Sequence, residues 1–228
     1  MITTARRRRG ATVLAALAAL LLPTAAPAAA ATAPAPVAGA VSARRDLPEP
    51  PPVDVVRAEL DGLVVEAPHS MDGYSRERFP HWVKISGECD TRETVLARDG
   101  QGVVQDDMCR AVAGTWASLY DDKVFTDAKA LDIDHVVPLA AAWRSGADTW
   151  TTAKRRAFAN DLTHSQLIAV SATSNRSKGD KTPDAWRPPA TGYWCTYSRA
   201  WTDTKHVYGL SVTELEKTAL TTMLNTCA

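Results

Sequence analysis

The sequence predicts an α+β domain carried behind an export leader, and three observations lead to that class. With 45% hydrophobic and 23% charged residues over 228 positions, the composition is globular and outside the disordered and fibrous ranges. The apolar pattern switches along the chain between a period of two and a helical period, with irregular connections between. All four cysteines fall from Cys89 onward, in the stretch that carries these patterns.

The N-terminus, residues 1–30, reads as a signal peptide. Arg6 to Arg9 form a basic start, Ala11 to Leu22 an apolar run, and Pro23 to Ala31 a small-residue stretch with Ala-x-Ala cleavage options. The apolar run is well short of the roughly 20 residues that span a bilayer, so a cleaved leader is expected rather than an anchor. The arginine pairs leave the twin-arginine route open beside the general one. The mature chain is expected to be secreted and free of the membrane. Without the leader's four arginines, 22 basic residues face 26 acidic ones, a net of −4. Such a chain does not coat nucleic acid through its overall charge, and any affinity must come from a local patch.

Residues 31–56 are Ala, Pro and Val with few charges, including Pro48, Pro50, Pro51 and Pro52, and predict an extended linker. Residues 57–228 remain as one domain, long enough for a real core. Within it Phe79 to Ile85 is apolar and aromatic, Thr91 to Arg98 fits a short helix, and Cys109 to Trp116 alternates like a strand. Leu131 to Leu139 alternates apolar residues with acids before Pro138, which marks a strand ending in a turn. Asp148 to Ala159 places Trp150, Ala153, Ala157 and Phe158 at helical spacing. Leu167 to Val170 is a short buried strand, and Ser171 to Lys178 starts like a helix. Ser211-Val-Thr-Glu214 has the form of a capping box, followed by Leu215, Ala219, Met223 and Cys227 on one helical face.

Cys89, Cys109, Cys195 and Cys227 include no Cys-x-x-Cys pair, which argues against a zinc cluster. In an exported protein two disulfides are the default. Of the three possible pairings the sequential one, Cys89–Cys109 and Cys195–Cys227, is favoured, since each bond closes a short local loop.

Two segments carry the chemistry: Asp132-Ile-Asp134-His135-Val-Val-Pro138 and Ser174-Asn175-Arg176-Ser-Lys178-Gly-Asp180. Alternation sends adjacent strand side chains to opposite faces unless the strand ends and the turn lets them converge, an ending that Pro138 supplies. A carboxylate can then hold a divalent cation while the neighbouring imidazole, with an ordinary pKa near 6.5, stays free to take a proton. Asn175 offers a neutral oxygen ligand beside two cations, and a small set of hard oxygen donors suits Mg²⁺.

These residues resemble the HNH endonucleases of the ββα-metal type. The similarity is closest to the secreted actinobacterial branch related to the C-terminal domain of modification-dependent restriction enzymes. It rests on Asp134-His135-Val-Val-Pro138, Gln166-Leu-Ile-Ala-Val170 and Asn175-Arg-Ser-Lys-Gly-Asp180. It extends through Tyr74-x-Arg76-x-x-Phe79-x-x-Trp82, Cys89-Asp-Thr-Arg92, Trp143-Arg-Ser-Gly-Ala147, Lys154 to Asp161 and the final helix. The resemblance implies a ββα-metal core with helical and disulfide-tied flanks. It implies Asp134 and Asn175 as ligands of one divalent ion, Mg²⁺ or another such as Mn²⁺, and His135 as general base. Gln166 stands where relatives usually carry the Asn that ties the loop, and can make similar hydrogen bonds on a longer stem. Arg176 and Lys178 are expected to steady phosphates.

Plainer readings stand beside these. Asp134 and His135 alone would be a strand-end ion pair, and Asn175 a helix cap. Asp132 supports the site or is an exposed acid. Asp90 and Arg92 read as a structural ion pair near the first disulfide. Arg176, Lys178, Lys181 and Arg187 would be a solvated face. Yet between Lys154 and Arg187 seven basic residues face three acids, a concentration where phosphate contacts are expected. His69, His81, His164 and His206 are assigned no role. The expectation is a monomeric secreted endonuclease of low sequence specificity acting on nucleic acid, DNA ahead of RNA. The alternative is a secreted nucleic-acid-binding module on the same fold that has lost catalysis.

Overall fold

The computed structural model describes residues 47–228. The leader reading and the linker as far as residue 46 lie outside the described residues. From Leu47 on, the linker reading is corrected. Leu47 is buried, and helix α1 spans Val53–Gly62 with Val56 and Leu60 in the core. Proline lacks an N–H but keeps its carbonyl, and these carbonyls hold the segment down. Ser165 Oγ donates to Pro48 O at 2.7 Å, and the Arg199 guanidinium donates to Pro50 O and Pro51 O.

Strands β1 (Lys84–Ser86) and β2 (Cys89–Asp90) form a short antiparallel hairpin. Helix α2 (Thr91–Asp99) follows, with the Asp90 side chain accepting from Glu93 N at 2.9 Å as its cap. This corrects the Asp90–Arg92 ion pair: Asp90 is spent on the cap, and Arg92 reaches the carbonyls of Ala128 and Leu131. Strands β3 (Gly100–Gln105), β4 (Ala111–Ser118) and β5 (Lys123–Phe125) make an antiparallel meander. Trp116 of β4 is buried and donates to Leu96 O at 2.8 Å. Its ring lies so close to Gly114, at φ +153°, that a Cβ there would come within 2.6 Å of it. The Cys89–Cys109 disulfide ties the hairpin to the β3–β4 connection, and Cys195–Cys227 ties one C-terminal helix to the segment that follows the last, the pairing the sequence favoured.

Strands β6 (Leu131–His135) and β7 (Leu167–Ser171) form a separate antiparallel pair in register, Asp132 against Val170 and Asp134 against Ile168. Helix α3 (Leu139–Arg144) starts directly after Pro138, and α4 (Thr152–Ala159) lies in the connection between the strands. Helix α5 (Ala172–Lys178) leaves β7 at once and lies against both strands. The pair stands between two cores. Leu131, Ile133, Leu167 and Ala169 pack with Val95, Leu96 and Trp116. Ile168 and Val170 pack into the larger cluster of helical and aromatic residues. A strand buried on both faces reads as an unbroken apolar run, as Leu167 to Val170 does.

Helices α6 (Trp194–Tyr208) and α7 (Glu214–Leu224) complete the α+β fold. The cap of α7 is Thr213, which accepts from Glu216 N at 3.1 Å, so the box begins two residues later than the sequence suggested. Leu215 is exposed, and the buried face runs through Glu216, Ala219, Leu220, Met223 and Leu224. Among the described residues no helix is long and apolar enough to cross a membrane.

Candidate active site

Where β6 ends and α5 begins, an open cavity of about 280 Å³ is lined by Tyr74, Arg76, Asp134, His135, Asn175 and Arg176 among others. The strand's last residues and the first turns of the helix thus bring both sequence segments to one place.

His135 is buried, and its Nε2 lies 3.0 Å from Ala159 O. A carbonyl only accepts, so this nitrogen carries the hydrogen. A neutral imidazole then leaves Nδ1 as an acceptor. Burial pushes the His135 pKa down to about 3, against the Ala159 hydrogen bond, and the nearby charges of Arg76 and Lys178 push the same way. Trp82 flanks the ring, with centroids 5.6 Å apart and planes 30° from parallel. Trp82 holds a left-handed backbone, φ 56°, a strained state for a bulky residue and one that collects at functional sites.

Asp134 is buried on the face of β6 turned to the larger core. Lys178 Nζ lies 2.9 and 2.7 Å from its two oxygens and also donates to His135 O at 2.8 Å. Tyr120 O–H donates to Asp134 Oδ2 at 2.6 Å. Burial pushes the Asp134 carboxyl up against the pull of Lys178, and pushes Lys178 down against the pull of Asp134. Burial also raises the Tyr120 phenol, which stays protonated as a donor.

The loop after β6 is fixed by Gln166. Its Oε1 accepts from Val137 N at 3.0 Å, its Nε2 donates to Val137 O at 2.9 Å, and its own carbonyl accepts from Val136 N. Helix α5 is capped by Ser171, whose Oγ accepts from Ser174 N and donates to Asp121. Asn175 therefore sits inside the helix and is not its cap. Its Nδ2 donates to Asp132 Oδ2 at 3.1 Å, which leaves Oδ1 available. Arg176 is exposed, with Nε 3.6 Å from Asp132.

The model of the family "GmrSD restriction endonucleases, C-terminal domain" matches residues 93–223. The chain belongs to this family. An "Uncharacterized secreted protein" of Arthroderma benhamiae is 55% identical over 180 residues, 79% of this chain and 88% of the relative. No solved structure matches.

In this member of the GmrSD C-terminal domain family, one predicted role is corrected. Lys178 cannot touch phosphate, because it is fully buried and its ammonium is spent on Asp134 and His135 O. The basic stretch from Lys154 to Arg187 is likewise not one surface. Arg155 is buried on the carbonyls of Arg78, Ala147 and Trp150, while Lys154 lies over the Trp150 ring. The sequence reading missed Tyr120, which lies outside any motif and left no signal. It also missed Arg76 and Trp82, although both belong to the aromatic motif that begins at Tyr74.

Proposed function

We propose that the chain is an exported HNH-type endonuclease that hydrolyses phosphodiester bonds of DNA, and of RNA strands its cavity admits, with one divalent ion. The observation that carries the reading is a neutral imidazole, anchored through Nε2, in the same cavity as Asp134 and Asn175. Membership of a restriction endonuclease family supports the reaction class, and the secreted relative supports export.

The donor set fits a hard cation. A carboxylate offers about four lone-pair sites, and Lys178 and Tyr120 make three contacts to Asp134. Asn175 Oδ1 adds a neutral oxygen. Among the described residues no three His, Cys, Asp or Glu side chains gather as a metal-binding group. A centre with two protein ligands leaves positions for water and phosphate, as Mg²⁺ prefers. When bound, the ion supplies Lewis-acid stabilisation of charge on the phosphate and the departing oxygen.

The chain's own residues do the rest. His135 Nδ1 takes a proton from water while Ala159 O keeps the ring oriented, and Trp82 restricts its tilt. Gln166 holds the loop that follows the base. Lys178 and Tyr120 fix the Asp134 carboxylate, and Asp132 turns the Asn175 amide.

Purified protein incubated with plasmid DNA and structured RNA, with Mg²⁺ or with EDTA, tests this. Cleavage is expected only with the divalent ion and should leave 5′-phosphate and 3′-hydroxyl ends. His135→Ala should lower turnover by about 10²–10⁴-fold with affinity kept. Full activity in chelator removes the metal-assisted reading. Binding without cleavage under any divalent ion favours the binding module.

A further inference from the structure

We propose that Arg76 is the phosphate-holding cation of this cavity, presenting its two terminal guanidinium nitrogens to a phosphodiester. The proposal rests on the nuclease reading above and deepens it.

A site for a polyanion needs a cation that is not already neutralised. Around this cavity most are. Lys178 is buried against Asp134, Arg144 donates to the Asp180 carboxylate and carbonyl at 2.6 Å each, and Arg176 lies 3.6 Å from Asp132. Arg76 lines the same cavity, is exposed, and forms no ion pair with a carboxylate among the described residues.

It is also aimed. Phe79 is buried in the aromatic core against Trp143 and Phe158. The Phe79 carbonyl lies 2.7 Å from His81 Nδ1, which must therefore carry the hydrogen. His81 Nε2 is left as an acceptor, and Arg76 Nε donates to it at 3.3 Å. The guanidinium is thus held from the core through its Nε, and its two terminal nitrogens make no hydrogen bond among the described residues. A planar fork fixed at its inner nitrogen matches two phosphate oxygens, which a lysine point charge does not. Arg76 also lies ahead of residues 93–223, the stretch matched by the family model, so a flanking segment supplies a group to the cavity.

The test is fluorescence anisotropy of a short DNA duplex on the full chain in EDTA, which reads binding without turnover, across a salt titration. Arg76→Ala and Arg76→Gln should weaken binding and reduce the slope of log affinity against log salt by about 0.9, the loss of one phosphate contact. Arg76→Lys should keep the slope yet lower kcat in Mg²⁺, and His81→Ala should do the same. An unchanged slope in Arg76→Ala and Arg76→Gln overturns the proposal, even if the wild type cleaves. If the wild type binds but never cleaves, the nuclease reading fails while the slope still decides the role of Arg76. A wild type that does not bind DNA overturns both.

Discussion

Two buried lysines near the Trp201 ring each pair with a buried carboxylate, for different ends. Lys178 pairs with Asp134, which also accepts from Tyr120, and Lys205 pairs with Glu216, which also accepts from Trp201 Nε1 at 2.6 Å. Both ammoniums are fully buried and lie 5.9 Å from the Trp201 ring. Each spends its remaining donors differently. Lys205 binds Ser145 Oγ and Ser211 O, joining the ends of α3 and α6. Lys178 binds the carbonyl of His135, beside the proposed base. A buried ion pair is weak evidence for stability, because desolvation offsets most of its attraction. What distinguishes the two is their surroundings: one closes a helical joint, the other fixes a carboxylate at the cavity.

The largest effect should come from breaking either pair on one side. Lys178→Met and Lys205→Met each strand a buried carboxylate and should cost about 3–5 kcal/mol in urea unfolding. Replacing both partners separates the two regions. Lys205→Met with Glu216→Leu should restore stability to within about 2 kcal/mol of wild type and keep cleavage. Lys178→Met with Asp134→Leu should recover stability similarly but lose cleavage. A folded first double variant without activity, or an active second one, breaks the comparison.

The same contrast shows what the sequence made legible. Helix α2, strands β6 and β7 and helix α5 follow from caps and periodicity, because their signals lie within a few residues. The disulfide pairing was readable for the same reason: each bond is local. Helix α6 was not readable, since Thr202, Thr204 and Lys205 are buried and interrupt the apolar pattern a buried helix usually displays. Lys178 misled because a linear motif carries no inside or outside. One turn of α5 carries the chain from Asn175 at the cavity to Lys178 in the core. Tyr120 reaches Asp134 from the turn between β4 and β5, a contact between chain segments that no local pattern records.

Acid should sharpen the comparison on the cavity side. The His135 pKa is about 3 in the fold and 6.5 without it, so between these values the unfolded chain binds the extra proton. The stability that the neutral imidazole contributes is therefore present above pH 6.5 and is lost as the pH falls towards 3, by on the order of 5 kcal/mol. Urea midpoints measured in EDTA should fall with pH more steeply for wild type than for His135→Gln. Equal slopes would mean that the buried imidazole is not held neutral.

The smallest effects come from trimming the aromatic donor of each carboxylate. Trp201→Phe removes the indole N–H from Glu216 and some ring volume, and should cost about 2 kcal/mol. Tyr120→Phe removes one hydroxyl from Asp134 and should cost about 1–2 kcal/mol. The order should reverse for chemistry. Trp201→Phe leaves Lys178 and Tyr120 on Asp134, so cleavage per folded molecule should match wild type. Tyr120→Phe leaves the carboxylate held by Lys178 alone, free to turn about its Cβ–Cγ bond, and cleavage should fall although less stability is lost. Comparable rates for the two variants, measured well below their unfolding midpoints, would show that Asp134 does not depend on Tyr120 for its orientation and that the two buried pairs are equivalent in function.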